Sequence, residues 1–204
     1  MSAPATVRAA RASENATVAE VLTDAFVDEG GMNYWLRQDK HKTSARRKFF
    51  DLAVGDGVHP QRELWMAESD GQPVGSAIWL GPNRKAYDFT FLQELQLAPM
   101  LLSIAGISGT MRGLALAEEL EKFHPQAQHA HLVFLGVATS AQGKGVGSAM
   151  LKAQLAPVDA QHLPAYLETS SQRNVDLYAR HGFEVTGEFD KPGLHMWTMT
   201  RPAR

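Results

Sequence analysis

Apolar positions along the chain recur with two different periods, and the order of the segments predicts the architecture. Residues 6–10 read as a short opening strand. Behind Ser13, a helix-cap candidate, Val18, Val21, Leu22, Ala25 and Phe26 recur at three- and four-residue spacing, which predicts a helix broken by Gly30 and Gly31. A second helix is expected over about 43–54, turning Phe49, Phe50 and Ala53 to the core. Residues 63–68 and 73–80 flank Asp70-Gly71, the strongest short hairpin signal, and Gly81-Pro82 closes that unit.

From about 87 to 123 helical spacing returns through Leu97, Leu101, Ile104, Met111 and Leu114. Gly106, Gly109 and Gly113 make one rigid helix unfavourable there, so two helices or a mobile one are expected. Residues 132–137 are almost continuously apolar, as in a strand buried on both faces. A Gly-rich turn follows, then a helix over about 145–156, ended or bent near Pro157. A strand at 165–169, a helix at 172–181 with Gly182 as its left-handed cap, and strands at 184–188 and 195–200 complete the pattern. The expected fold is mixed α/β, one domain around one sheet, without internal repeats.

Composition narrows the chemistry. The 204 residues include no cysteine, which removes disulfides, thiolate metal sites and cysteine nucleophiles. Twenty basic and 22 acidic residues are interspersed, for a net charge of -2, and form no basic stripe that would neutralise nucleic-acid phosphates. No apolar stretch follows Arg8 and Arg11 as in a signal peptide. The longest apolar run, 97–107, is interrupted by Pro99 and Ser103 and is shorter than a bilayer requires. A cytoplasmic protein with neither nucleic-acid nor membrane partners is expected.

The most informative stretch is Gln142-Gly143-Lys144-Gly145-Val146-Gly147-Ser148, placed between a buried strand and a helix. Glycines let successive N–H groups turn toward one spot, with the positive end of the helix behind them, and such a bend binds phosphate or pyrophosphate. The spacing fits neither a Walker loop, since Gly145 follows Lys144, nor a dinucleotide fingerprint, since Ser148 stands where its third glycine belongs. From the glycines alone, a ligand-free strand-to-helix connection is an equal alternative.

Val137 followed by this turn resembles the coenzyme A signature Gln/Arg-x-x-Gly-x-Gly/Ala of the GCN5-related N-acetyltransferases (GNAT). Tyr166-Leu167-Glu168-Thr169-Ser170 and Arg173-Asn174-Val175-Asp176-Leu177-Tyr178-Ala179-Arg180-His181-Gly182-Phe183 resemble the family's second signature, and Met196-Trp197-Thr198-Met199-Thr200-Arg201 resembles the last strand of its puromycin N-acetyltransferase-like branch. The likeness covers about 132–201; before 123 only the order of elements matches. Thr139 replaces a frequent proline and Ser171 a frequent asparagine.

The resemblance implies a mostly antiparallel twisted sheet flanked by helices, with an acceptor-side half over about 1–123 and an acetyl-coenzyme A half over about 124–204. It implies acetyl-coenzyme A as acyl donor, no metal, and direct attack by a primary amine, most simply that of a small molecule. A protein amine as acceptor and a non-catalytic acyl-coenzyme A sensor are the alternatives, and a homodimer is left open. The backbone of Leu135, Gly136 and Val137 would pair with the pantetheine arm, and the amides of Gln142, Gly143, Lys144, Gly145, Val146, Gly147 and Ser148 would hold the pyrophosphate. Lys144 either adds charge there or is solvated. Asn174 and Tyr178, four apart, share a helix face; by resemblance Tyr178 protonates the leaving thiolate, the alternative being a ring packed beside Phe183. Glu168 is the first candidate for the base, the alternative being a carboxylate fixed by backbone or by Arg173.

Asp24, Asp28 and Glu29 are acceptor contacts or simply solvated. His129 and His131 would share a strand face, but with His124 they have no supporting carboxylate spacing, so hydrogen-bonded histidines are expected rather than metal ligands. His131 begins the cofactor strand and suits a supporting or acceptor-site role. The apolar segment 89–116 and Trp35 either cover the sheet or line an acceptor pocket.

Overall fold

Two periods in the sequence become two kinds of element in the computed structural model, which describes residues 5–55, 62–82 and 91–204. In chain order these are β1 (Thr6–Ala9), α1 (Asn15–Ala25), α2 (Gly30–Trp35), α3 (Lys42–Ala53), β2 (Arg62–Ser69), β3 (Gln72–Leu80), α4 (Phe91–Phe123), β4 (Ala130–Val137), α5 (Val146–Ala160), β5 (Ala165–Thr169), α6 (Gln172–Ala179), β6 (Glu184–Lys191) and β7 (Leu194–Arg201). The strands form one sheet in the order β1-β2-β3-β4-β5-β7-β6. Every neighbouring pair is antiparallel except β4 and β5.

Period-2 alternation sends successive residues of β3 to opposite sides. Ala77 and Trp79 join Met150, Leu151 and Leu155 of α5 and Val175 and Tyr178 of α6. Ile78 joins Leu22 of α1, Phe50 of α3 and Ile104 of α4. The indole N–H of Trp79 donates to Gln154 Oε1 at 2.9 Å, which satisfies the indole and the amide oxygen inside the first layer. Asp70 and Gly71 take φ of 51° and 72° and make the expected hairpin turn between β2 and β3.

Four expectations need correcting. Ser13 does not cap α1: it lies in a short 3-10 turn, Ala12–Glu14, that precedes the helix. Gly30 and Gly31 are not merely a break, because they form the first turn of α2, capped by the Glu29 carboxylate. Pro157 neither ends nor bends α5 out of helix; it sits in the last turn, where its missing N–H forfeits only one bond. The stripe expected along α4 does not hold, because Gly106, at φ 68° and ψ 176°, splits the segment into two helices and resets the buried face.

Beyond that break Met111 and Leu114 are exposed, while Leu116 and Leu120 are buried. The glycines have a packing reason that helix propensity hides. A Cβ on Gly109 would stand 2.2 Å from the carbonyl oxygen of Trp35, and one on Gly113 would touch the Trp35 ring at 3.4 Å. α4 is therefore notched where α2 crosses it. Counted as one helix, Leu97–Phe123 is long and apolar enough to cross a membrane by length and composition; divided at Gly106, neither limb reaches the roughly 20 residues a span needs. The expected helix start near Tyr87, and Phe89, lie outside the described residues.

Candidate active site

β4 and β5 pair in parallel only where Ala130, His131 and Leu132 face Ala165, Tyr166 and Leu167. Both strands run on, to Val137 and Thr169, so beyond Leu132 they diverge. The backbone of residues 133–137 on that edge has no strand partner and forms a wall of a cleft of about 470 Å³. An unpaired strand edge inside a cleft offers its N–H and C=O groups to an extended ligand that carries amides of its own. Gly136 is required behind this wall, where a Cβ would come within 2.7 Å of Ala25 of α1.

The Gly-rich turn closes one end of the cleft. Gly143 and Gly145 have φ of 75° and 82°, left-handed values that let the chain double back directly into α5. The turn is braced from outside: Thr139 N–H donates to Asp24 Oδ2 at 2.8 Å and Gln142 Nε2 donates to the Val137 carbonyl at 3.2 Å. Asp24 thereby braces the turn, and it is not among the residues that line the cleft. Gln142, Gly143, Gly145, Val146, Gly147 and Ser148 line the cleft; Lys144 does not, and its ammonium donates back to the Ser140 carbonyl at 2.9 Å. The cations in the wall are instead Arg173 and Arg180. Arg180 was not singled out from sequence, and only its place in the second signature marks it.

Tyr178, Asn174 and Leu177 present one face of α6 to the same cleft. The Tyr178 ring packs against Phe183 at 5.9 Å between centroids, so the packing role foreseen as an alternative coexists with a hydroxyl at the cleft. Burial, and then the negative charge of Glu29, push its phenol well above the usual range, so the hydroxyl is a donor throughout the physiological range. Glu168 reaches the cleft from β5, and its Oε2 is 2.9 Å from His131 Nε2. The partner that fixes this carboxylate is thus His131, not backbone or Arg173. Burial on its own would raise the Glu168 carboxyl, but the His131 ring, His124 and a hydrogen bond from Tyr166 together outweigh it and hold it below the usual range.

The acetyltransferase (GNAT) family model matches residues 22–183, which spans both walls of the cleft and the turn between them. The chain belongs to the GNAT acetyltransferase family. It is similar over 100% of its length to 98% of a Corynebacterium glutamicum structure described as histone acetyltransferase HPA2 and related acetyltransferase, at 27% identity and a TM-score of 0.76. Arylalkylamine N-acetyltransferase 2 from Aedes aegypti shares the fold, at a TM-score of 0.68, 14% identity and coverage of 99% and 100%. So does the ribosomal-protein-S18-alanine N-acetyltransferase of Escherichia coli, at 0.56, 12%, and 98% and 94%. The family uses acetyl-coenzyme A as co-substrate, and the chain is an acetyl-transfer enzyme.

In this acetyltransferase the three singled-out histidines do come together, at the closed end of the β4–β5 junction. His124 and His131 rings lie 5.4 Å apart, and His124 and His129 rings 4.8 Å apart. Among the described residues, no three histidine, aspartate or glutamate side chains are arranged to hold a metal ion. The His129 Nδ1 meets the Ala127 carbonyl at 2.8 Å, while both His124 nitrogens and His129 Nε2 are buried without a hydrogen-bond partner.

Burial, with smaller contributions from the other histidines of the cluster, lowers both His124 and His129 from the ordinary value of 6.5. A histidine depressed in the fold is proton-free there while the unfolded chain already binds protons, so its contribution to stability is intact above about 6.5 and is lost as pH falls below it. The urea midpoint should therefore drop between about pH 7.5 and about pH 5.5, before carboxylates titrate, and the drop should shrink in H124N/H129N. A midpoint unchanged over that interval would contradict the buried neutral cluster.

Proposed function

We propose that this chain moves an acetyl group from acetyl-coenzyme A to the primary amine of a small molecule by direct attack, both substrates being bound at once. The observation that carries the reading is the convergence on one cleft of an unpaired strand edge, a left-handed glycine turn at a helix start, and the Tyr178 hydroxyl. The edge at 133–137 receives the amides of the pantetheine arm, and the N–H groups of the turn, at the positive end of α5, receive the pyrophosphate. An N–H near Val137 faces the thioester oxygen and stabilises the charge that develops on it.

In the transfer, the C–N bond forms as the C–S bond breaks. The amine's proton passes to Glu168, directly or through one water, and the Tyr178 proton passes to the departing thiolate. Glu168 is ionised at neutral pH and has lone pairs for the proton, and its lowered carboxyl makes it a weak base that passes the proton on rather than keeping it. Absence of cysteine from the whole chain removes the thiolate an acyl-cysteine intermediate would require.

Thiol release from acetyl-coenzyme A, measured against a panel of small primary amines and of peptides with free lysine or N-terminal amines, tests the reading. Turnover of at least one small amine is expected. Tight coenzyme binding with no acceptor turned over would instead leave a binding module, and turnover of peptides alone would make the acceptor a protein.

A further inference from the structure

Glu29 lies in the link between α1 and α2, and it lines the cleft. Its Oε1 accepts from Gly31 N–H at 3.0 Å and from the Ser170 hydroxyl, and its Oε2 accepts from Met32 N–H at 2.6 Å. Gly31 N–H also reaches Ser170 Oγ, at 3.1 Å. The link that carries Glu29 is thus fastened to the residue that follows β5, and the residue lines the same cleft as Tyr178 and Glu168. Every bond to it comes from a neutral donor, and no basic side chain is paired with Glu29 among the described residues. Glu168, by contrast, has His131.

Beside this charge the cleft wall turns apolar and aromatic. Phe26, Phe49 and Phe134 meet edge to face at 5.6 and 5.7 Å, Trp35 joins Phe49 at 5.4 Å, and Leu116 and Leu120 complete the wall. The two arginines of the wall, Arg173 and Arg180, both belong to α6 and its C-terminal cap, and neither forms an ion pair with Glu29. A half-buried carboxylate without a counter-charge, beside an aromatic chamber, suits a ligand with one cation on an apolar body.

We propose that Glu29 anchors the acceptor as an ammonium, and that the acceptor is a primary amine carried on an apolar, ring-sized body. The proposal rests on the acetyl-transfer reading for the acceptor's role, but not for its binding. Glu29 selects the amine as a cation and delivers it beside Tyr178. One proton then leaves the ammonium through water and Glu168 to solvent, freeing the lone pair for attack. The second proton, lost from the acylated nitrogen, restores the Tyr178 hydroxyl that protonated the thiolate. The influence of Glu29 on the Tyr178 phenol agrees with this proximity. A polar sugar amine or a peptide lysine would leave the aromatic wall solvated or its own polar groups unpaired.

The structural role of Glu29 as cap of α2 must be separated from recognition, and a matched pair of ligands does so. The probes are 2-phenylethylamine and its neutral analogue 2-phenylethanol, with binding measured by calorimetry in the presence of coenzyme A for wild type, E29Q and E168Q. The glutamine of E29Q retains an oxygen that can accept from the start of α2. Wild type should bind the amine more tightly than the alcohol, and E29Q should weaken the amine by about tenfold or more while leaving the alcohol and coenzyme A within about twofold. Equal weakening of both ligands would reduce Glu29 to a helix cap, and loss of the preference in E168Q instead would move the anchor to Glu168. Failure of wild type to bind either ligand would overturn the substrate class. None of these readings needs turnover, so they stand apart from the thiol-release assay, whose failure would sink acetyl transfer itself.

Discussion

Replacing Tyr178 with phenylalanine should lower kcat by about 100-fold or more, the range expected when a positioned proton donor is removed, with coenzyme A affinity nearly unchanged. The ring is held by Phe183 and the core beneath α6, and phenylalanine keeps that packing. Only the hydroxyl is lost. Because burial and the Glu29 charge keep it protonated, the hydroxyl reaches the departing sulfur as a donor rather than as a phenolate. Single-turnover kinetics with a reactive small amine, beside calorimetry with coenzyme A, separates the two quantities. A kcat within about threefold of wild type would remove Tyr178 from the reaction.

Converting Gly143 and Gly145 together to alanine should weaken coenzyme A binding by about 30- to 1000-fold while leaving the fold intact. Nothing lies within 4 Å of a Cβ at either position, so the substitution meets no steric obstacle. The cost is conformational: each residue has φ near 80°, where a side chain costs about 1–2 kcal/mol. Two such penalties amount to about 2–4 kcal/mol, which the turn escapes by relaxing out of the shape that directs its N–H groups into the cleft. The affinity for coenzyme A should fall much further than the affinity for an acceptor-side ligand such as 2-phenylethylamine. Unchanged coenzyme affinity would show that the turn does not hold the pyrophosphate. Equal loss for both ligands would show that the whole cleft had collapsed.

Much of this architecture was legible without coordinates. Asp70-Gly71 between two alternating runs can form little other than a hairpin, and the apolar run of β4 ahead of the glycines located the buried strand and the turn together. Asn174 and Tyr178 share a face because a helix places fourth neighbours on one side, and Gly182 ends that helix at φ 89°. These features follow from local rules. Lys144 marks where local rules stop: the sequence left its side chain either at the phosphates or solvated, and the structure has it exposed, donating to the Ser140 carbonyl.

What required the tertiary structure was every relation between distant segments. The pairing of Glu168 with His131 depends on β4 and β5 lying parallel with His131 opposite Tyr166, a register no spacing encodes. Gly109 and Gly113 read as helix weakness until Trp35 was found filling the notch they leave. Glu29 read equally as an acceptor contact or a solvated residue near a helix end, because its bond to Ser170 joins positions 141 residues apart. Periodicity and turn chemistry act over a few residues and so are written in the sequence directly. The separation of β4 from β5, and the two carboxylates set around it, arise only when the sheet and both helical layers pack, and the function depends on that packing.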